Sequence, residues 1–234
     1  ATSGNTGIGL AMVSALRGYK SELVMPESMS FERIKIMESY GASVILTPEE
    51  LGIDGARAFV ERLVSKEPDR YFNPNQYNNP ANWKAHYETT AQEILEDTDR
   101  QITHFVAGLG TSGTLMGVAR KLKEELDSVR IISAEPADGA FIQGLKNLEE
   151  DGIPNIFNQS YLDERHFVTE QDAQELSLLL SGVEGIFTGH SAGAAMWVAL
   201  EVARDISQRK MKNTMIVVLF ADSGEKYLNS RQTD

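Results

Sequence analysis

The stretch VAGLGTSGTLMGVARKL, residues 106–122, passes from an apolar run through a glycine-rich loop into a segment with helical periodicity. Its start belongs to the apolar run ITHFVA (102–107), which predicts a strand. A helix is predicted over 114–126, because one face would carry the apolar side chains of Leu115, Val118, Ala119, Leu122 and Leu126. A strand, a tight loop and a helix in this order are the repeating unit of a parallel α/β sheet.

Helix and strand patterns alternate on both sides of this stretch. Before it, the sequence predicts helices at 6–18, 30–39 and 54–65, and strands at 22–25 and 43–47. After it come a predicted strand at 129–134, helices near 170–181 and 191–208, and a strand at 214–221. The last strand is almost wholly apolar, which is typical of a central strand covered on both faces.

The segment YFNPNQYNNPAN (71–82) interrupts this alternation. It is dense in Pro and Asn and keeps no helical or strand period, which indicates a loop or a lobe boundary. We place the boundary near Asn79. The expected fold is therefore α/β with two lobes, residues 1–79 and 80–234, each a mostly parallel sheet flanked by helices.

Composition excludes several classes of function. The 234 residues include 34 acidic and 22 basic side chains, a net charge of −12 without any basic cluster, so nucleic acid and acidic membranes are poor partners. The apolar run at 215–221 is far shorter than the ~20 residues of a membrane-spanning helix, and we predict neither a transmembrane nor a signal segment. There is no cysteine, and the four histidines lack a metal-ligand spacing, so no metal is predicted and the cytoplasm is the expected location.

The loop TSGNTG (2–7) is the first candidate binding segment. Thr2, Ser3, Asn5 and Thr6 offer three hydroxyls and an amide beside the N–H groups of a predicted helix start. Such a loop suits a carboxylate or a phosphate. The alternative is plain helix capping, which also favours Ser, Thr and Asn.

The second candidate is the loop of the opening stretch. Gly108, Gly110 and Gly113 match G-x-G-x-x-G, and Glu135 follows the next predicted strand, which together indicate a dinucleotide site. Residues 110–114 can equally form a cradle for a single phosphate, or the glycines can serve only close packing of strand and helix. The residues alone leave these alternatives open.

The third candidate, GHSAG (189–193), matches the G-x-S-x-G motif of serine hydrolases. That chemistry would require a histidine after Ser191, and none lies beyond His190. We therefore interpret Gly193 as a residue that allows tight packing of helices.

Taken in order, TSGNTG, GLGTSGT, GIFTGHSAG and FADSGEKYLNS resemble the motifs of the pyridoxal-phosphate-dependent cysteine synthase family, especially the B-type O-acetylserine sulfhydrylases. The resemblance also covers residues 18–42 and 75–94. It implies the two-lobed fold of the tryptophan synthase β-like (fold type II) enzymes. Residues 1–79 would be the smaller, mobile substrate-binding lobe, incomplete at its N-terminus, and 80–234 the larger cofactor-binding lobe of a cytoplasmic homodimer.

The resemblance also implies site residues for pyridoxal 5'-phosphate and an amino-acid substrate. The substrate carboxylate would be held by Thr2, Ser3, Thr6 and Gln76. Asn5 would bond the ring hydroxyl of the cofactor, and its phosphate would be enclosed by Gly110, Thr111, Ser112, Gly113 and Thr114. Ser223, beside Asp222, would face the pyridine nitrogen; a neutral hydroxyl there favours β-elimination and replacement over transamination.

The implied reaction makes L-cysteine from O-acetylserine and sulfide, or another sulfur donor, through an aminoacrylate intermediate. Its Schiff-base lysine lies, in the family, in a motif resembling N-P-x-x-S-x-K-D-R upstream of TSGNTG. This sequence has no such motif, and we assign the role to none of its lysines, such as Lys20, Lys35, Lys84, Lys121 and Lys226. We therefore expect a missing N-terminal segment and an inactive chain when residues 1–234 stand alone.

Three alternatives to this function remain open. An enzyme of the same fold, such as cystathionine β-synthase or one making a different β-substituted alanine, would share the carboxylate loop. A truncated, non-catalytic paralogue would bind a ligand or a partner protein. A dinucleotide-dependent dehydrogenase would leave TSGNTG and DSGEKY without a role.

Overall fold

The computed structural model describes residues 1–2, 4–150 and 152–230. These residues form two compact units. The first comprises residues 1–75 together with the segment that begins at Gly224, and the second comprises residues 76–223. The boundary predicted near Asn79 places the segment that begins at Gly224 in the second lobe. In the structure this segment belongs to the first unit.

The described residues of the first unit form a two-stranded parallel sheet and three α-helices. Its elements are α1 (Asn5–Arg17), β1 (Glu22–Pro26), α2 (Phe31–Ser39), β2 (Ser43–Thr47) and α3 (Gly52–Lys66). The strands pair in register from Glu22 opposite Ser43 to Pro26 opposite Thr47. A small core joins the sheet to α1 and α2 through Leu23, Met25, Ala11 and Met37. This core fixes the loop before α1, because that loop lies directly against β1.

The second unit is built on a four-stranded parallel sheet of order β5-β4-β3-β6. Its elements are α4 (Ala81–Glu88), α5 (Thr90–Asp97), β3 (His104–Gly108), α6 (Gly113–Glu125), β4 (Arg130–Pro136), β5 (Glu164–Val168), α7 (Glu170–Val183), α8 (His190–Gln208) and β6 (Ile216–Val218). Successive residues of β3 enter different cores, as expected for a strand buried on both faces. Phe105 packs in the cluster with α5 and α6, and Val106 packs in the cluster with α8.

Most elements lie at the sequence positions that periodicity predicts, but the last strand has a different place in the sheet from the predicted one. The apolar segment 214–221 predicts a central strand; the structure has β6 at Ile216–Val218, with backbone bonds to the β3 region continuing at Met215 and Leu219. In the described chain β6 lies at the edge of the sheet, bonded to β3 alone, and its side chains are half-buried. Apolar composition reports burial of side chains, whereas the number of paired neighbours depends on where the other strands lie.

Two helices and one strand, α4, α5 and β5, were not predicted from the sequence. Within the described residues, none of the helices combines the length and the apolar character that crossing a bilayer requires.

Candidate functional site

The loop between β3 and α6 is braced by an amide side chain from another helix. The Nδ2 group of Asn82, near the start of α4, donates hydrogen bonds to Thr111 Oγ1 at 2.9 Å and to the backbone oxygen of Gln76 at 2.8 Å. Thr111 Oγ1 also accepts a bond from the N–H of Gly113 at 3.4 Å. Asn82 therefore joins two predicted site segments, the loop at 110–114 and Gln76.

Two glycines of this loop are required by protein neighbours. A Cβ atom on Gly110 would lie 2.5 Å from the backbone oxygen of Gly144, and one on Gly113 would lie 1.9 Å from Asn82 Oδ1. Both distances are too short for a carbon atom beside oxygen. Close packing thus explains these glycines, as one of the sequence alternatives proposed, and they do not by themselves indicate a ligand.

Ser112 gives the independent indication of a ligand. It has a φ of 69°, lies in the N-cap position of α6 and is only 2% exposed. Its Oγ atom is buried and has no hydrogen-bond partner among the described residues. A buried hydroxyl without a partner is destabilising, and the start of a helix favours an anion. A phosphate group bound here would satisfy both, so the residues present fit the phosphate of the cofactor.

Thr114, at the other end of the loop, is linked to a buried histidine. Its Oγ1 lies 3.3 Å from His86 Nε2, and His86 Nδ1 lies 3.1 Å from Thr90 Oγ1. Burial lowers the pKa of His86 below its ordinary value of 6.5, so the ring is neutral at pH 7. A neutral imidazole has one donor and one acceptor nitrogen, and it can therefore fix the direction of the Thr114 hydroxyl.

The predicted partner of the pyridine nitrogen, Ser223, is the last residue of the second unit. Ser223 forms an isolated antiparallel bridge with Thr188, and the backbone oxygen of Asp222 accepts a bond from the N–H of Gly189 at 3.4 Å. Both side chains are half-buried. The pairing with 188–189 fixes the backbone of this segment, while the role of Ser223 stays a prediction.

In the first unit, Thr2 is the internal brace of the predicted carboxylate loop. Its backbone N–H donates to Val24 of β1, and its buried Oγ1 accepts bonds from the N–H groups of Gly4 at 3.0 Å and Gly7 at 3.1 Å. Asn5 and Thr6 are exposed in the first turn of α1. Ser3 lies outside the described residues.

The residues that suggested other chemistries have structural roles. Glu135 is fully buried and accepts two bonds from Arg165, Nε at 2.8 Å and Nη2 at 2.7 Å, and a third from Ser133 Oγ at 2.7 Å. Its carboxylate is thus occupied and does not bind a ribose. A Cβ atom on Gly193 would lie 1.9 Å from the backbone oxygen of Ala173, which confirms that this glycine allows α7 and α8 to pack closely.

No group of His, Asp and Glu side chains suited to a metal ion occurs in the described ranges. Asn82 and His86 are candidate site residues that the motifs did not single out. Both lie within NNPANWKAH, directly after Gln76 and Tyr77 and inside residues 75–94, which the family resemblance covers; these are the sequence signals for them.

A parallel α/β sheet, with a buried hydroxyl at a helix start that has no partner among the described residues, is typical of proteins that bind a phosphate-bearing ligand. Comparison with known proteins identifies the family. A family model described as "Pyridoxal-phosphate dependent enzyme" matches residues 1–222, and the chain belongs to this family. Its cofactor is pyridoxal phosphate, and its fold is that of the fold type II enzymes.

The relatives most similar to the chain include cysteine synthases. A cysteine synthase of Aquifex aeolicus is 46% identical over 231 residues, which cover 98% of this chain and 70% of the relative. Cysteine synthase B of Escherichia coli is 40% identical over 230 residues, 98% of this chain and 74% of the relative. Among solved structures, a hydrogen sulfide-producing enzyme from Fusobacterium nucleatum superposes with a TM-score of 0.91 at 43% identity, over 97% of this chain and 78% of that one.

Proposed function

We propose that this protein makes L-cysteine by β-replacement, from O-acetylserine and sulfide or another sulfur donor. The observation that carries the proposal is the 46% identity to a cysteine synthase over 98% of the chain. The braced loop of the second unit and the hydroxyl-rich loop of the first are consistent with it, because the reaction needs a phosphate site and a carboxylate site.

The residues of the second unit hold and orient the cofactor in this proposal. Ser112 Oγ and the N–H groups at the start of α6 bind the phosphate, while Asn82 fixes Thr111 and His86 fixes the Thr114 hydroxyl. When bound, pyridoxal phosphate supplies the electron sink for breaking bonds at the α- and β-carbons. Ser223 places a neutral hydroxyl at the pyridine nitrogen, which keeps that sink mild.

In this proposal the substrate carboxylate is bound by the residues that the family resemblance implies, Thr2, Ser3, Thr6 and Gln76. Thr2 Oγ1 accepts hydrogen bonds from two backbone N–H groups. Its hydroxyl can still donate one hydrogen bond to a carboxylate oxygen. Thr6 and Asn5 lie at the N-terminus of α1, where the helix dipole favours negative charge; Asn5 is assigned to the ring hydroxyl of the cofactor. Ser3 completes the proposed carboxylate set.

The test is turnover by the protein expressed from its complete gene and loaded with pyridoxal phosphate. We expect cysteine from O-acetylserine and sulfide, and much less cystathionine from homocysteine. A preference for homocysteine would instead support the cystathionine β-synthase alternative. Cofactor binding without any β-replacement would support a non-catalytic paralogue and would refute the proposal.

A second candidate is β-elimination of cysteine, in which loss of the α-proton and cleavage of the Cβ–S bond release sulfide, and hydrolysis of the remaining fragment gives pyruvate and ammonia. It is favoured by the similarity to the hydrogen sulfide-producing enzyme of Fusobacterium nucleatum. The two activities share the carboxylate loop and the cofactor, and they differ in which sulfur compound enters. Comparing initial rates of cysteine formation and of sulfide release at equal substrate concentrations decides between them.

The homodimer and the cytoplasmic location implied by the family resemblance form part of the same proposal. Light scattering on the loaded protein gives its mass relative to one chain. A mass of one chain would refute the dimer.

A further inference from the structure

Arg33 is an unusual buried cation in the first unit. It lies on α2 and is only 1% exposed. Burying a charged group is costly unless its surroundings compensate, and an apolar side chain would fill this space without that cost. The reason for an arginine must therefore lie in what its guanidinium contacts.

The first contact is with the carboxylate loop. A Cβ atom on Gly4 would lie 2.5 Å from Arg33 Cδ, 2.6 Å from Nε and 2.9 Å from Cζ. Gly4 also has a φ of 151°, a conformation that residues with side chains rarely adopt. Gly4 immediately precedes α1. The backbone at Gly4 thus lies close against the side chain of Arg33, with no room for a Cβ atom between them.

The second contact is with the segment after Gly224. The Cζ atom of Arg33 lies 4.5 Å from the centroid of the Tyr227 ring, and Tyr227 is only 1% exposed. One turn earlier, the hydroxyl of Ser30 donates a bond to the backbone oxygen of Lys226 at 3.0 Å. Residues 226–227 therefore contact α2, and these contacts include a hydrogen bond and a cation–π interaction.

We infer that Arg33 is a positioning residue that couples the Thr2–Gly7 loop to the segment containing Tyr227. One face of its side chain supports Gly4, and its guanidinium is held by the aromatic ring. Tyr227 follows Ser223, the residue assigned to the cofactor ring, by four residues in the chain. The consequence for catalysis rests on the proposed function, whereas the coupling itself does not.

The first test measures amide hydrogen exchange by NMR in the protein expressed from its complete gene. The N–H groups of Gly4 and Gly7 both bond to Thr2 Oγ1, so they report on the loop, and the N–H of Glu67 at the end of α3 reports on the rest of the unit. The variants are Arg33→Met and Tyr227→Leu. Their matched controls are Arg62→Met and Tyr40→Leu, both at exposed positions of the same unit.

We expect Arg33→Met and Tyr227→Leu each to speed exchange at Gly4 and Gly7 by about tenfold or more while Glu67 is unchanged, because only the loop opens. The double variant should exceed neither single variant by more than about twofold, since both break one chain of contacts. Unchanged exchange at the two glycines would overturn the inference. Equal acceleration at Glu67 would also overturn it, because Arg33 would then stabilise the unit as a whole.

The second test separates this inference from the proposed function. In the loaded enzyme, Arg33→Met should raise the KM for O-acetylserine by about tenfold with kcat changed less than about threefold, because a misplaced loop weakens carboxylate binding. Arg33→Lys, which keeps the charge without the planar group, should recover only part of the loss. Lack of turnover by the parent protein would refute the function and leave the exchange result standing. Turnover by the parent with an unaltered KM in Arg33→Met would refute the role of Arg33.

Discussion

Replacing Ser112 by alanine should stabilise the cofactor-free protein and weaken cofactor binding. Both effects come from the loss of the Oγ atom. The Oγ atom is buried and without a hydrogen-bond partner in the described part of the chain. Alanine keeps the Cβ atom, so the cost of the φ of 69° is unchanged. A buried, unpartnered hydroxyl costs about 1–3 kcal/mol, and we expect a gain of about 1 kcal/mol, or about 2–4 °C in Tm.

The loss on the cofactor side follows from the same atom. A hydrogen bond to a charged group contributes about 1.5–3 kcal/mol, which corresponds to about 10- to 140-fold in the Kd for pyridoxal phosphate. Thermal unfolding without cofactor and an absorbance titration with cofactor measure the two effects, with the exposed Ser128→Ala as control. A cofactor-free Ser112→Ala protein destabilised by more than about 1 kcal/mol, or an unchanged Kd, would refute the reasoning.

Three further predictions concern the supports of the loop and the sheet. Gly113→Ala should lower the free energy of unfolding by about 2 kcal/mol, because there is no room for its Cβ atom. Gly182→Ala, at a position with open space around it, should raise the free energy of unfolding by about 0.5 kcal/mol, and urea unfolding measures both. Burial lowers the pKa of His86, so as the pH falls the imidazole is protonated in the unfolded chain before it is protonated in the folded one. The free energy of unfolding should therefore decrease below about pH 6.5, and it should decrease less in His86→Gln. Curves of unfolding free energy against pH that run parallel for the two proteins between about pH 7 and 5 would contradict this. Arg165→Met should lower the free energy of unfolding by about 3 kcal/mol, because it leaves the Glu135 carboxylate buried without its cation. This value is at the low end of the usual range because Arg165 is 23% exposed. Adding Glu135→Gln should recover part of the lost stability, and additive losses in the double variant would contradict the prediction.

The order of helices and strands could be predicted because it depends on local periodicity. The predicted helix at 114–126 and the observed Gly113–Glu125 differ by one residue at each end, since the apolar stripe that predicts α6 is the face it buries. The position of β6 beside β3 alone in the described chain could not be predicted in the same way. Pairing is a property of neighbouring strands, which the sequence of one strand does not contain.

The hydroxyl-rich loops were predictable from composition, but the residues that support them were not. Asn82 is 29 positions from Thr111 in the sequence, and only the packing of α4 against the loop brings them together. Arg33 is a charged residue of a type that is rarely fully buried, and the structure buries it. The segment around Tyr227 follows the last strand of one unit but packs with the other, because chain continuity does not decide packing.

The start of α4, where Asn82 lies, can be followed by tryptophan fluorescence. The next residue, Trp83, is one of only two tryptophans in the chain, and its indole lies 4.3 Å from the guanidinium carbon of Arg120 and edge-to-face with Tyr87. Any ligand that shifts the start of α4 will also change the electric field at this ring, and with it the emission wavelength. With Trp197→Phe, Trp83 is the one tryptophan left among these 234 residues, a fluorescent probe in the helix that braces the glycine-rich loop.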